Sequence, residues 1–209
     1  MISTYKLANL MPRAEQLLYE MESKDLSPDL RMYNNVLDGY SRRGDWNASL
    51  HVLERMARKN ITRDTITYSS AISSLAKSGQ VSHILDLLVR MKEEKVPRDT
   101  ILYSSAISGC STSGDWKTAL ILLQEMNSGG VKIDTICYNS AISACAKKGQ
   151  SSVALKLIDL MRKEGVPRDV FTYTSAISAC KQVDEVLNLL DEMEIEGITL
   201  RVEAFNAVR

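Results

Sequence analysis

Apolar residues recur along the chain at helical spacing, in short blocks that themselves repeat. In the stretch Thr65 to Asp99, TITYSSAISSLAKSGQVSHILDLLVRMKEEKVPRD, residues Tyr68, Ala71, Ile72 and Leu75 share one face of a helix. Val81, Ile84, Leu85, Leu88 and Met91 make a second apolar stripe. Between them lies Gly79, suited to the left-handed conformation that ends helices. Val96-Pro97 breaks the second stripe, and Asp99 stands where a carboxylate can accept from the free N–H groups of the next helix. The pattern predicts a helix–turn–helix hairpin. Neither helix can bury its stripe alone, so successive hairpins must stack.

The hairpin recurs. Tyr33, Tyr68, Tyr103, Tyr138 and Tyr173 lie 35 residues apart, as do Met21, Met56, Met91, Met126 and Met161. Gly44, Gly79, Gly114 and Gly149 keep the same period, and so do Asp29, Asp64, Asp99, Asp134 and Asp169. Five of eight tyrosines and five of nine methionines fall on one grid, which excludes chance. Counted from Leu30 as slot 1, four full units span 30–64, 65–99, 100–134 and 135–169. Residues 1–29 match the back part of a unit through Ala14, Met21, Pro28 and Asp29. Unit 170–201 is degenerate: Cys180 to Met193 is 13 residues where Cys145 to Met161 is 16, and its helix-ending Gly is gone. Residues 202–209 read as the opening of a further unit, with Phe205 in the Tyr slot, so the chain reads as part of a longer array. The expected fold is all-α, an α-solenoid of stacked hairpins.

Composition narrows the reading. Lys and Arg total 26 against 26 Asp and Glu, a net charge of zero, with 44% hydrophobic and 25% charged residues. A disordered tail, a collagen and a membrane-spanning bundle are excluded. A nucleic-acid partner would require the cations to be segregated on one face. Cys110, Cys145 and Cys180 share the 35-residue period and, with Cys137, read as small buried thiols. Met1–Leu10 carry neither a secretory apolar core nor an Arg/Ser-rich transit peptide.

A 35-residue hairpin with Tyr at slot 4, Gly at slot 15, Met at slot 27 and Pro-x-Asp or Pro-Asp at its end resembles the pentatricopeptide repeat (PPR) family. The segment TICYNSAISACAKKGQSSVALKLIDLMRKEGVPRD matches that pattern throughout, and the Trp/Leu-Gly/Tyr signature of the 34-residue tetratricopeptide repeat is absent. The resemblance implies a right-handed superhelix that binds single-stranded RNA, one base per repeat. It implies base reading by slots 5 and 35, here Asn34 with Asp64, Ser69 with Asp99, Ser104 with Asp134, and Asn139 with Asp169. By resemblance, Asn with Asp prefers uracil and Ser with Asp prefers guanine, so the expected core is U-G-G-U. A carboxylate that only accepts suits the two donors on guanine's edge; the uracil assignment rests on resemblance. Thr174 faces Arg201 in the last unit, which assigns no base.

Slot 2 is the family's base clamp and reads Arg31, Ile66, Ile101, Ile136 and Phe171. Slot 13, the phosphate position, reads Arg42, Lys77 and Lys147, with Thr112 replacing the cation in the third unit. Other readings stand beside these. The Asp residues are also helix N-caps, though a cap alone would admit Ser, Thr or Asn. The isoleucines could be core, and the slot-13 cations could serve only the helix dipole. His51 and His83 have no evident ligand partners, and neither a phosphate loop nor a nucleophile motif occurs. No cofactor, metal or catalytic role is expected.

The expected function is therefore an RNA-binding module in organellar post-transcriptional RNA metabolism, in a mitochondrion or chloroplast, with no membrane partner. The second reading is a protein-binding scaffold, such as a subunit of an organellar ribonucleoprotein like the mitochondrial ribosome, motivated by zero net charge and the acidic stretch Asp184 to Glu196. The third is the recognition arm of a larger enzyme such as a tRNA-processing nuclease.

Overall fold

The computed structural model describes residues 11–24 and 26–199. The features read at Met1–Leu10, Arg201 and Val202–Arg209 lie outside the described residues. Among the described residues there are eleven helices and no strand: α1 (Met11–Ser23), α2 (Leu30–Arg43), α3 (Trp46–Arg58), α4 (Thr65–Lys77), α5 (Val81–Glu93), α6 (Thr100–Ser113), α7 (Trp116–Ser128), α8 (Thr135–Lys147), α9 (Ser151–Lys163), α10 (Val170–Ala179) and α11 (Val183–Ile195). The fold is a helical-hairpin solenoid. None of these helices is long and apolar enough to cross a membrane.

Each hairpin starts and stops by the same local chemistry. Asp29 Oδ1 accepts from Met32 N at 2.8 Å, and Asp64, Asp134 and Asp169 repeat the contact with Thr67, Cys137 and Thr172. These bonds satisfy N–H groups that have no partner inside their own helix. Gly44 ends α2 at φ +70°, donating to Ser41 and Tyr40 carbonyls, as only a residue without Cβ does cheaply. The second helices end on the Met column: Ile61, Val96, Val131, Val166 and Ile198 donate to the carbonyls of Met56, Met91, Met126, Met161 and Met193 at 2.8–2.9 Å. This is a Schellman ending, so each of these methionines is both a core side chain and a capping carbonyl.

The chain divides within α6 into two compact units, Met1–Gly109 and Cys110–Arg209. In the first, α2 packs on α3 and α4, and α4 packs on α5. Its core holds Tyr33, Leu37, Met56, Tyr68, Ile72, Leu75, Ile84 and Met91, all 0–1% exposed. Each such side chain contributes about 1.5–3 kcal/mol through burial. In the second unit α8 packs on α7, α9 and α10, around Tyr138, Ile142, Cys145, Leu157, Met161 and Tyr173. The shortening read near residue 180 falls in the first helix of its hairpin: α10 has 10 residues where α8 has 13, and Cys180 leaves it in extended backbone at ψ 142°.

Two further kinds of contact tie neighbouring hairpins. At one end Lys77 Nζ donates to the carbonyls of Ser41 (2.6 Å) and Arg42 (3.1 Å), and Lys147 Nζ donates to Thr112 O at 2.9 Å. At the other end Arg63 Nε meets Glu94 Oε2 at 3.1 Å, and Arg168 Nε meets Glu196 Oε1 at 3.0 Å.

Candidate nucleic-acid interface

The first turn of each first helix carries the side chains of interest. Slot 4 points inward as the Tyr column, which turns slot 2 outward. Ile66, Ile101, Ile136 and Phe171 are 63, 70, 59 and 54% exposed, and Arg31 is exposed too. Large apolar side chains held in water at one register position, above a filled core, are candidates for a flat apolar ligand surface.

In the first unit these residues border an open cleft of about 680 Å³. Arg31, Asn34, Asp64 and Ile66 line it together, with Asn35, Asp38 and Ser70. Asn34 Nδ2 donates to Asp64 Oδ1 at 3.3 Å. Burial alone would raise the Asp64 pKa, but the hydrogen bonds from Thr67 and Asn34 outweigh it and hold the carboxyl below its ordinary value. In the second unit Asn139 Nδ2 donates to Asp169 Oδ1 at 3.1 Å, and Asn139 is 7% exposed. The two Asn–Asp pairs, each 30 residues apart in sequence, are thus joined directly.

The Ser positions differ. Ser69 is half-buried and makes no hydrogen bond to Asp99 among the described residues; Asp99 Oδ1 accepts from Leu102 N at 2.9 Å. Ser104 is half-buried on α6, and Asp134 caps α8. Thr174 turns back on its own helix, donating to Val170 O at 2.8 Å, and Arg201 lies outside the described residues.

The slot-13 cations are exposed but engaged. Lys77 and Lys147 donate to carbonyls that end the preceding hairpin's first helix, and Arg42 Nε pairs with Asp38 Oδ2 at 3.3 Å. The charge of the two lysines serves a helix C-terminus, though of the neighbouring helix and not their own. A lysine ammonium has three protons, so Lys147 keeps donors beyond the one bonded to Thr112. Sequence reasoning missed Asp38, a carboxylate on the cleft wall where later units carry Ser73, Ser108 and Ser143. It also missed the hydroxyls of Thr67 and Thr172, which lie against the Asn–Asp pairs.

Burial pushes the Cys110 and Cys137 thiols up to about 12 and Cys145 to about 11, so they stay protonated at neutral pH. Among the described residues no three His, Cys, Asp or Glu side chains gather as a metal site.

The sequence profile of the PPR repeat family matches residues 28–77, 98–147 and 133–182, and that of the PPR repeat matches 66–96 and 171–198. The chain belongs to the pentatricopeptide repeat family. No curated protein sequence matches this PPR chain. Among solved structures, the maize pentatricopeptide repeat protein PPR10 superposes with a TM-score of 0.77 at 27% identity, over 99% of this chain and 30% of PPR10. PPR10 in complex with an 18-nt psaJ RNA element superposes at 0.64 and 26% identity, over 99% and 29% of the two chains. The PPR domain of Arabidopsis thaliana protein-only RNase P 1, in complex with tRNA, gives 0.70 at 16% identity over 82% and 92%, a likeness of fold alone. This PPR chain thus spans less than a third of the length of PPR10.

Proposed function

We propose that this PPR chain binds single-stranded RNA, one base per repeat, with a U-G-G-U core read by units 30–64 to 135–169. The observation that carries the reading is the cleft of the first unit, where an exposed Ile, a basic Arg and a directly bonded Asn–Asp pair meet. The apolar side chains would lie on base faces, and the amide and carboxylate on base edges. The relation to PPR10, whose complex with RNA is known, supports the same reading. The module acts by binding: it occludes or remodels a transcript and performs no chemistry itself. Its setting is organellar, in a mitochondrion or chloroplast, which imaging of a fluorescent fusion of the full gene product tests.

The test is titration of labelled U-G-G-U and scrambled RNAs over a salt series. The reading expects discrimination between them, and a log–log salt slope of about −2 for three phosphate contacts on a single strand. Equal weak binding to both removes it and favours the second reading, a protein-docking scaffold. That alternative draws on α11, where Val183 and Leu187 stay exposed beside Asp184 and Glu185.

A further inference from the structure

Slot 3 holds Met32, Thr67, Leu102, Cys137 and Thr172. Of the four base-reading pairs, the two built on Asn34 and Asn139 are each followed, in the next unit, by Thr at slot 3. The two built on Ser69 and Ser104 are followed by Leu102 and Cys137. All four of these slot-3 side chains are fully buried, so the pattern is not one of solvent exposure. The structure supplies the reason. Thr67 Oγ1 lies 2.7 Å from Asn34 Oδ1, and Thr172 Oγ1 lies 2.6 Å from Asn139 Oδ1. Each hydroxyl also accepts from the Asp main chain, Asp64 N at 3.3 Å and Asp169 N at 3.1 Å.

We infer that Thr67 and Thr172 are positioning residues that fix which way the Asn34 and Asn139 amides face, and thereby separate uracil from cytosine. The inference rests on the base-reading proposal and deepens it. A hydroxyl has one proton to give. Thr172 Oγ1 is nearer the amide oxygen of Asn139, 2.6 Å, than the Asp169 carboxylate, 3.0 Å, so the proton goes to the amide. Thr67 Oγ1 is 2.7 Å from both the Asn34 amide oxygen and Asp64 Oδ1; that carboxylate oxygen already accepts from Thr67 N and Asn34 Nδ2, so there too the proton goes to the amide. The carboxylate in turn takes a proton from Nδ2. Turning the amide over would set its oxygen against the carboxylate and its NH2 against the hydroxyl proton. Two contacts therefore hold one orientation.

What remains for a ligand is one N–H and one oxygen lone pair, in a fixed order. Uracil presents an acceptor at C4 and a donor at N3. Cytosine presents a donor at C4 and an acceptor at N3, the reverse order on a ring of the same shape. A clamp on the ring faces cannot tell them apart. An amide free to turn over could serve both, whereas a held amide serves one.

The test uses the chain with labelled RNAs containing U-G-G-U, C-G-G-U or U-G-G-C. In the unmodified protein, uracil is preferred at the first and last bases. Thr67→Val keeps the shape and loses the hydroxyl; it lowers the uracil-to-cytosine ratio at the first base about fivefold, the worth of one hydrogen bond, and leaves the last base unchanged. Thr172→Val does the reverse. Thr67→Ser, which restores a hydroxyl, restores the ratio. Thermal unfolding checks each variant, and the two Val variants sit in different compact units, so loss of one fold leaves the other to decide. A ratio unchanged in a folded Val variant, or weaker binding of all three RNAs alike, overturns the positioning role while leaving base reading intact. An unmodified protein that treats the three RNAs alike removes base reading, and this inference with it.

Discussion

Asp64 and Asp99 occupy the same slot in successive hairpins, yet their carboxylates hold different numbers of groups. Asp99 Oδ1 accepts from Leu102 N at 2.9 Å, a helix cap. Asp64 Oδ1 accepts from Thr67 N at 2.8 Å and also from Asn34 Nδ2 at 3.3 Å. Loss of a cap costs about 1 kcal/mol. Each further hydrogen bond contributes about 1 kcal/mol, and a long one less. Asp99→Ala should therefore cost about 1 kcal/mol and Asp64→Ala about 1.5 kcal/mol. Urea unfolding of the two variants reads the difference directly, because both substitutions remove the same atoms. The pH dependence gives a second reading. The Asp64 carboxyl titrates below its unfolded value, so its contribution is present above the ordinary Asp pKa of about 4 and is lost as pH falls through the folded one. The stability gap between the unmodified protein and Asp64→Ala should thus close on acidification. Equal losses for the two variants, or a gap that widens in acid, would refute the assignment of the bonded network to Asp64.

Other outcomes follow from single positions. Lys95 ends α5 at φ +57°, where the corresponding residues Gly130 and Gly165 have φ +68°, so Lys95→Gly should stabilise by about 0.5–1 kcal/mol. Its reciprocal, Gly165→Ala, should cost about 1 kcal/mol from conformation alone, since a Cβ there meets nothing within 4 Å; thermal unfolding measures both. Asp38→Ser takes a carboxylate off the cleft wall and releases Arg42 for its phosphate contact, so RNA affinity should rise a few-fold, read by titration. Ser69→Asn should move the second base toward uracil but admit cytosine as well, because Leu102 brings no hydroxyl to the new amide; competition between the two RNAs reports it.

The Tyr, Met and Gly columns made the fold legible, because a stacked core must repeat its buried side chains in register and Gly44 takes a conformation few other residues can. Ile66, Ile101 and Ile136 were legible as a column that the family resemblance turns outward, while their apolar character left a core reading open; their facing follows from Tyr68, Tyr103 and Tyr138 pointing inward two positions on. Lys77 and Lys147 defeated sequence reasoning in part. A cation in a last turn points on paper to its own helix end, and only packing shows it reaching the carbonyls of the hairpin before. Thr67 and Thr172 were hidden more completely. Thr in a first turn reads as an ordinary β-branched residue, and its partner Asn lies 33 positions earlier. The shortfall near Cys180 was countable, but its location within α10 was not.

The ties between hairpins differ at their two ends, and that difference has a mechanical consequence. From the C-terminal end of α4, Lys77 grips carbonyls that end α2, while Arg63 and Glu94 meet beside the N-terminal end of α4, about 20 Å away along a 13-residue helix. The first is an ammonium on main-chain dipoles; the second is a pair of full charges, which added salt weakens more. Rising ionic strength should then loosen one edge of the hairpin pair before the other, so that the helices fan open about the lysine edge as about a hinge and do not simply draw apart.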